Sequence, residues 1–126
     1  MDKRIIVTDK APAPVGPYAQ AVRYGDLIFI SGQISADVAT GQVIRQDVAG
    51  QTRTAMDIIR AVLQEQGSGM DKILKVTVHL SDSRHFKAMN EVYASFFDHG
   101  YPARLVVYGV QMYDGVDVEI DAIAGV

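Results

Sequence analysis

The residues best able to do chemistry sit in the last quarter of the chain. Tyr101-Pro102-Ala103-Arg104 sets an arginine behind a rigid turn. Pro102 cannot continue a helix and biases Tyr101 toward extended geometry. Leu105-Val106-Val107-Tyr108 then reads as a buried strand, so Arg104 stands near a strand mouth. Such an arginine either snorkels its head into water or anchors an anion, because its planar fork matches a carboxylate two bonds at a time. Farther on, Asp117, Glu119 and Asp121 alternate with Val116, Val118, Ile120 and Ala122. Three acids on one strand face are costly if that face is buried. Either the face is solvated, or one acid points into a pocket beside a cation such as Arg104. An arginine and a carboxylate together can bind a small acid and manage a water or a proton, with no cofactor if the substrate is already unstable. Tyr18, Ser31, Asn90 and Tyr93 are the polar residues left to accompany them.

Other chemistries find little support. His79, His85 and His99 are the only histidines, and none forms a His-x-x-x-His pair or a close cluster with acids, so no metal is expected. No serine sits in Gly-x-Ser-x-Gly, and no glycine-rich phosphate loop is present. Gly67-Ser68-Gly69 is short and follows a helix, where it reads as an exit turn. There is no cysteine, hence no thiolate nucleophile and no disulfide, which suits a reducing cytosol. The net charge is −3 with no basic cluster, which argues against nucleic acid as a partner. No signal peptide is visible after Met1-Asp2-Lys3-Arg4, and no apolar run approaches membrane length. A cytoplasmic protein without membrane contact is expected.

The elements that must position these residues are those of one domain spanning residues 1–126, with 48% hydrophobic and 21% charged residues. Arg4 to Thr8 is a short strand candidate. The proline-rich stretch from Ala11 to Pro17 is a stiff connector that places Tyr18. Gln20 to Tyr24 and Leu27 to Ser31 read as strands joined by a tight turn at Gly25-Asp26. Gly32 is either a bulge glycine or a point of close backbone approach by a ligand or neighbour. Asp47 to Gln66 is a long helix with Asp47 as N-cap, Gly67 past its end and a stripe through Val48, Thr52, Ala55, Met56, Ile59, Val62 and Leu63. Lys72 to Ser81 is a strand with Leu74, Val76, Val78 and Leu80 on one face and Lys75, Thr77 and His79 on the other. A second helix runs from Asp82 or Ser83 to about Asp98, its stripe made by Phe86, Met89, Tyr93, Phe96 and Phe97. Val116 to Ala124 is the last strand. This order predicts a two-layer α+β domain, a mixed sheet with two helices on one face. The uncovered face carries mixed residues, which points to partial burial against another subunit.

At this point the chain resembles the reactive intermediate deaminase family, also called Rid or YjgF and, in older usage, L-PSP endoribonucleases. The likeness covers Gly16 to Ala124. It rests on Gly16-Pro17-Tyr18-Ala19-Gln20-Ala21, Ile30-Ser31-Gly32-Gln33-Ile34, Asn90-Glu91-Val92-Tyr93 with Phe96-Phe97, Tyr101-Pro102-Ala103-Arg104, and Val118 to Ala124. The resemblance implies a chorismate-mutase-like fold and a homotrimer with ligand sites in clefts between subunits. It implies hydrolysis of short-lived enamines and imines, such as 2-aminoacrylate, to a 2-keto acid and ammonia. Arg104 would then grip the substrate carboxylate, Glu119 would hold or activate water, and Tyr18, Ser31 and Asn90 would line the cleft. Leu105, Val106 and Tyr108 depart from the family's usual polar pattern, and Gln111 to Gly115 replaces a basic loop, with Tyr113 where proline is common. The cleft should therefore be greasier and less basic. A deaminase of a larger unsaturated amino acid, or a non-catalytic trimer that binds small carboxylates, are the alternatives. A ribonuclease has no chemical support in these residues.

Overall fold

Period two in the last strand organises the sheet. The computed structural model describes residues 1–126 and contains β1 (Arg4–Ile6), β2 (Ala21–Tyr24), β3 (Leu27–Gln33), α1 (Val48–Glu65), β4 (Ile73–Leu80), α2 (Phe86–Ala94), β5 (Ala103–Tyr108) and β6 (Val118–Gly125). The six strands lie in the order β1-β2-β3-β6-β4-β5. All neighbours are antiparallel except β4 and β5, which are joined through α2. In β6, Val118, Ile120, Ala122 and Ala124 are buried, while Glu119, Asp121 and Ile123 between them are half-buried. The buried row meets Ile28, Ile30, Val76, Val78 and Leu80 and packs under the helices. Two helices thus cover one face of a mixed sheet. No helix is long and apolar enough to cross a membrane.

The first helix begins and ends for local reasons. The Asp47 carboxylate accepts the Gly50 N–H at 2.8 Å, satisfying an orphan donor of the first turn. Gly67, at φ +76°, turns the chain out past Gln66. Met56, Ile59 and Leu63 of α1 are fully buried, and so is Thr52, whose hydroxyl donates to the Val48 carbonyl at 2.8 Å. The second helix is shorter than its apolar stripe predicts. A 3₁₀ turn over Ser83–His85 precedes it, and the helix ends at Ala94. Phe96 and Phe97 follow in turns and still pack against the core, because single turns suffice to aim two aromatic rings.

Two strand expectations are corrected. Leu74 does not share the inner face with Val76. The β4–β6 register slips between Ile73 and Lys75, so Ile73 turns inward and Leu74 is 52% exposed. Leu105 to Tyr108 is not a buried strand in the single chain. β5 is an edge strand, and Leu105 and Tyr108 remain exposed.

The face without helices is an ordered surface. Register aligns Ile5, Val22, Phe29 and Ile123 in one row across four strands. A second row holds Asp121, Thr77 and Leu105, and a third holds Glu119, His79 and Val107. Ile5 and Leu105, on the two edge strands, are each 54% exposed, so apolar side chains stand on both sides of the acids.

One polar knot fastens the start of β6. Ser81 Oγ donates to Asp117 Oδ1 at 2.6 Å and Gln51 Nε2 to Oδ2 at 3.2 Å, while the Asp117 N–H reaches Gln51 Oε1 at 2.9 Å. These bonds, Ser81 first, hold the Asp117 carboxyl below its ordinary value against the opposing effect of burial. A lowered folded-state value means that this stability is present above the unfolded carboxylate range and is lost as pH falls through the folded one. Asp117→Asn should therefore cost about 1 kcal/mol at pH 7, modest because the carboxylate is 37% exposed. Urea melts should show that cost shrinking toward pH 3, and an equal cost at both pH values would contradict the assignment.

Candidate functional site

The chemistry-bearing residues gather at two places. The first is a cleft of about 400 Å³ between the proline segment and the bulge of β3, lined among others by Val15, Tyr18, Ser31, Gly32, Tyr113 and Glu119. The second is a smaller pocket at the sheet edge, lined by Asn90, Tyr93, Ala94, Tyr101, Pro102 and Arg104.

The cleft is built by two unusual segments. The proline segment has few backbone partners of its own, and Gln20 supplies them. Buried to 5% exposure, Gln20 accepts the Thr8 N–H at 2.9 Å and donates to the carbonyls of Thr8, Ala11 and Pro12 at 2.9–3.0 Å. Tyr18 leaves that segment with its N–H on the Gly16 carbonyl and its hydroxyl accepting the Val15 N–H at 3.4 Å. Ser31 faces back across β2, donating from Oγ to the Ala19 carbonyl at 2.6 Å. The second segment is the bulge between Ile30 and Gln33. A Cβ on Gly32 would lie 2.8 Å from Glu119 Oε2. Gly32 is thus both the bulge residue and the point of close approach, and the neighbour that approaches is the Glu119 side chain. Burial pushes the Glu119 carboxyl above its ordinary value. His79, directly opposite on β4, works against that rise, and Asp121 adds to it.

Arg104 is held differently. Its strand pairs with β4 so that Arg104 lies beside Val76 and Val106 beside Val78, both on the helix-covered side. Nη1 donates to Asn90 Oδ1 at 2.7 Å, and the guanidinium carbon stands 4.7 Å from the centre of the Tyr93 ring. A long contact to Met89 Sδ at 3.9 Å and the Phe86 ring complete its surroundings. Burial keeps Tyr93 protonated, pushing its hydroxyl up to about 12, with Arg104 acting against the rise. No carboxylate lies within ion-pairing distance of Arg104 among the salt bridges of the chain. It is a half-buried cation surrounded by neutral groups, with most of its five N–H donors free.

Tyr18, Ser31, Gly32 and Glu119 come together, as do Asn90 and Arg104. The two groups do not meet. Glu119 is on the open face of β6 and Arg104 on the helix side of β5, with β4 between them. The acid does not sit beside Arg104 within one chain, because the parity of β5 is set by its register with β4 and not by the Pro102 turn. Tyr93, both a helix-stripe residue and one of the polar companions expected from sequence, lies against Arg104. Gln20 escaped, since nothing in the sequence marks it as the staple of the proline segment.

Comparison with known proteins agrees with the fold and the motifs. The family model described as Endoribonuclease L-PSP matches residues 8–126. The chain is 42% identical over 124 residues to a RutC family protein of Pyrococcus abyssi, covering 98% of each. It is 40% identical to the 2-iminobutanoate/2-iminopropanoate deaminase of Capra hircus, covering 97% of this chain and 89% of that one. Among solved structures, E. coli TdcF with bound serine superposes with a TM-score of 0.91 at 37% identity over 98% of each chain. The bulge that admits Glu119, the Pro-Ala-Arg turn that seats Arg104, and similarity along the whole chain together show that this protein belongs to the Rid/YjgF family, the group whose model carries the name Endoribonuclease L-PSP.

Proposed function

We propose that this chain is a hydrolytic deaminase of short-lived enamines and imines, yielding a 2-keto acid and ammonia, and that it works as a homotrimer. The observation that carries this reading is Arg104, a half-buried charge answered by no carboxylate of its own chain. A carboxylate ligand would complete its fork, with two charge-assisted bonds. The relatives named as 2-iminobutanoate/2-iminopropanoate deaminases support the substrate class, since both compounds carry a carboxylate beside the imine.

The chemistry follows from the two groups. An enamine tautomerises to an imine, and protonation of the nitrogen makes the imine carbon electrophilic. Water adds to that carbon, forming a C–O bond. Glu119 in its ionised form takes a proton from the water and returns it to the nitrogen; the C–N bond then breaks, ammonia leaves, and the hydroxyl gives up its proton as the carbonyl forms. Arg104 and Asn90 fix the carboxylate so that attack is directed at one carbon. One small substrate needs both groups within a few ångströms, which a single chain does not provide. A cleft between the Glu119 side of one subunit and the Arg104 edge of the next would, and the uncovered sheet face, with its row of Ile5, Val22, Phe29 and Ile123, is a surface suited to such an assembly.

In a coupled assay, a dehydratase releases 2-aminoacrylate from serine, and this protein should speed the appearance of pyruvate. Arg104→Ala should abolish the acceleration while light scattering still reports the parent oligomer. Dissociation of that variant would make Arg104 structural, and affinity without turnover in the parent protein would point to a carboxylate-binding protein instead. Glu119→Gln should lower kcat by about 10²–10⁴-fold. In the parent, kcat/KM should rise with pH through the elevated Glu119 value and then level off, and that limb should vanish in Glu119→Gln. Leu105→Asp places a charge on the open face at an exposed edge position, so it should split the oligomer into folded smaller species. A variant that keeps the parent size would remove this face from the interface.

A further inference from the structure

The cleft around Glu119 carries an apolar wall that neither the water-activating carboxylate nor the carboxylate anchor uses. That wall is made by Pro12, Ala13, Val15 and Tyr113. Tyr113 comes from the turn between β5 and β6, lines the cleft and is 59% exposed, so it stands at the solvent side of that wall.

That turn is held in a demanding shape. Asp114 has φ +54°, the only positive φ outside glycine in the chain, and Gly115 follows at φ +71°. Aspartate tolerates this region better than most residues. Arg45, in the loop between β3 and α1, clamps it with one fork. Nη1 donates to the Asp114 carbonyl at 2.6 Å, and Nη2 stands 3.0 Å from Asp114 Oδ2. Both side chains are more than half exposed, so the pair adds little to stability. What a planar two-point grip does supply is orientation of the residue it holds, and Tyr113 is the residue before it.

We infer that Tyr113, positioned by Arg45, determines specificity in this cleft and selects imino acids with a bulky apolar side chain over the three-carbon imine. The inference rests on the deaminase reading above. The reacting carbon and the carboxylate are common to every 2-imino acid, so Glu119 and Arg104 do not discriminate among them. Discrimination falls to the wall that meets the side chain, and each buried methylene there is worth about 10–200-fold.

The test uses imines generated in situ from alanine, leucine and phenylalanine by an amino acid oxidase, with semicarbazide competing for the imine. The parent protein should show a higher kcat/KM for the leucine and phenylalanine imines than for the alanine imine. Tyr113→Ala should lower that ratio about tenfold, chiefly through KM for the bulky substrates. Tyr113→Phe, which keeps the ring, should keep the ratio. Arg45→Ala should lower the ratio severalfold in the same direction. A ratio that is unchanged in Tyr113→Ala overturns the inference and leaves the deaminase reading standing. A ratio changed by Tyr113→Ala but not by Arg45→Ala overturns the positioning role of Arg45. No acceleration of any imine, with 2-aminoacrylate included, overturns both.

Discussion

Everything in this fold depends on the two-faced central strand. β6 lies between β3 and β4 and must bury one row of side chains while offering the other to the helix-free side. The hydrophobic effect settles which row goes where: Val118, Ile120, Ala122 and Ala124 drop under the helices, and the acids have only the opposite side left. A slip of one residue would put three carboxylates into the core, at a cost no short strand could offset. Register is therefore firmly specified in the place where it decides which way Glu119 points.

The electrostatics of the site follow from that division. Glu119 is confined against the Gly32 backbone in a half-buried cleft, which favours its neutral form. Arg104 is confined among an amide, a thioether and aromatic faces, which tolerate its charge without neutralising it. Each group is kept less satisfied than it would be in water. Had the fold set them side by side in one chain, they would have formed an ion pair and quenched each other. Separation by a strand keeps both available.

Much of this was legible in the sequence. The α1 stripe, the Asp47 cap, the Gly25-Asp26 turn and the alternation of β6 follow from periodicity and turn chemistry, which are local. The uncovered sheet face was legible too, since two helices cannot wrap both sides. What escaped depended on pairing. The bulge that exposes Leu74, the side of the sheet that Arg104 occupies and the edge position of β5 are set by neighbouring strands remote in sequence. The span of α2 was overread because apolar residues in consecutive turns mimic a continued helical stripe. Motif likeness named Tyr18, Ser31, Gly32, Asn90, Arg104 and Glu119 for clefts between subunits, but not how one chain divides them into two groups.

The Gln20 side chain carries one more implication. The segment from Thr8 to Pro12 is tied to the sheet by four hydrogen bonds that all converge on one amide. Prolines at 12, 14 and 17 remove the N–H groups that would otherwise share that duty. Beside the buried Ala11 methyl, such a strap has a single polar latch. It should open and close as a unit, at a free energy well below that of global unfolding, while the strands beneath stay paired. One wall of the Glu119 cleft thus belongs to a separate cooperative unit of the protein, and the Thr8 amide is the place where its breathing would register in hydrogen exchange.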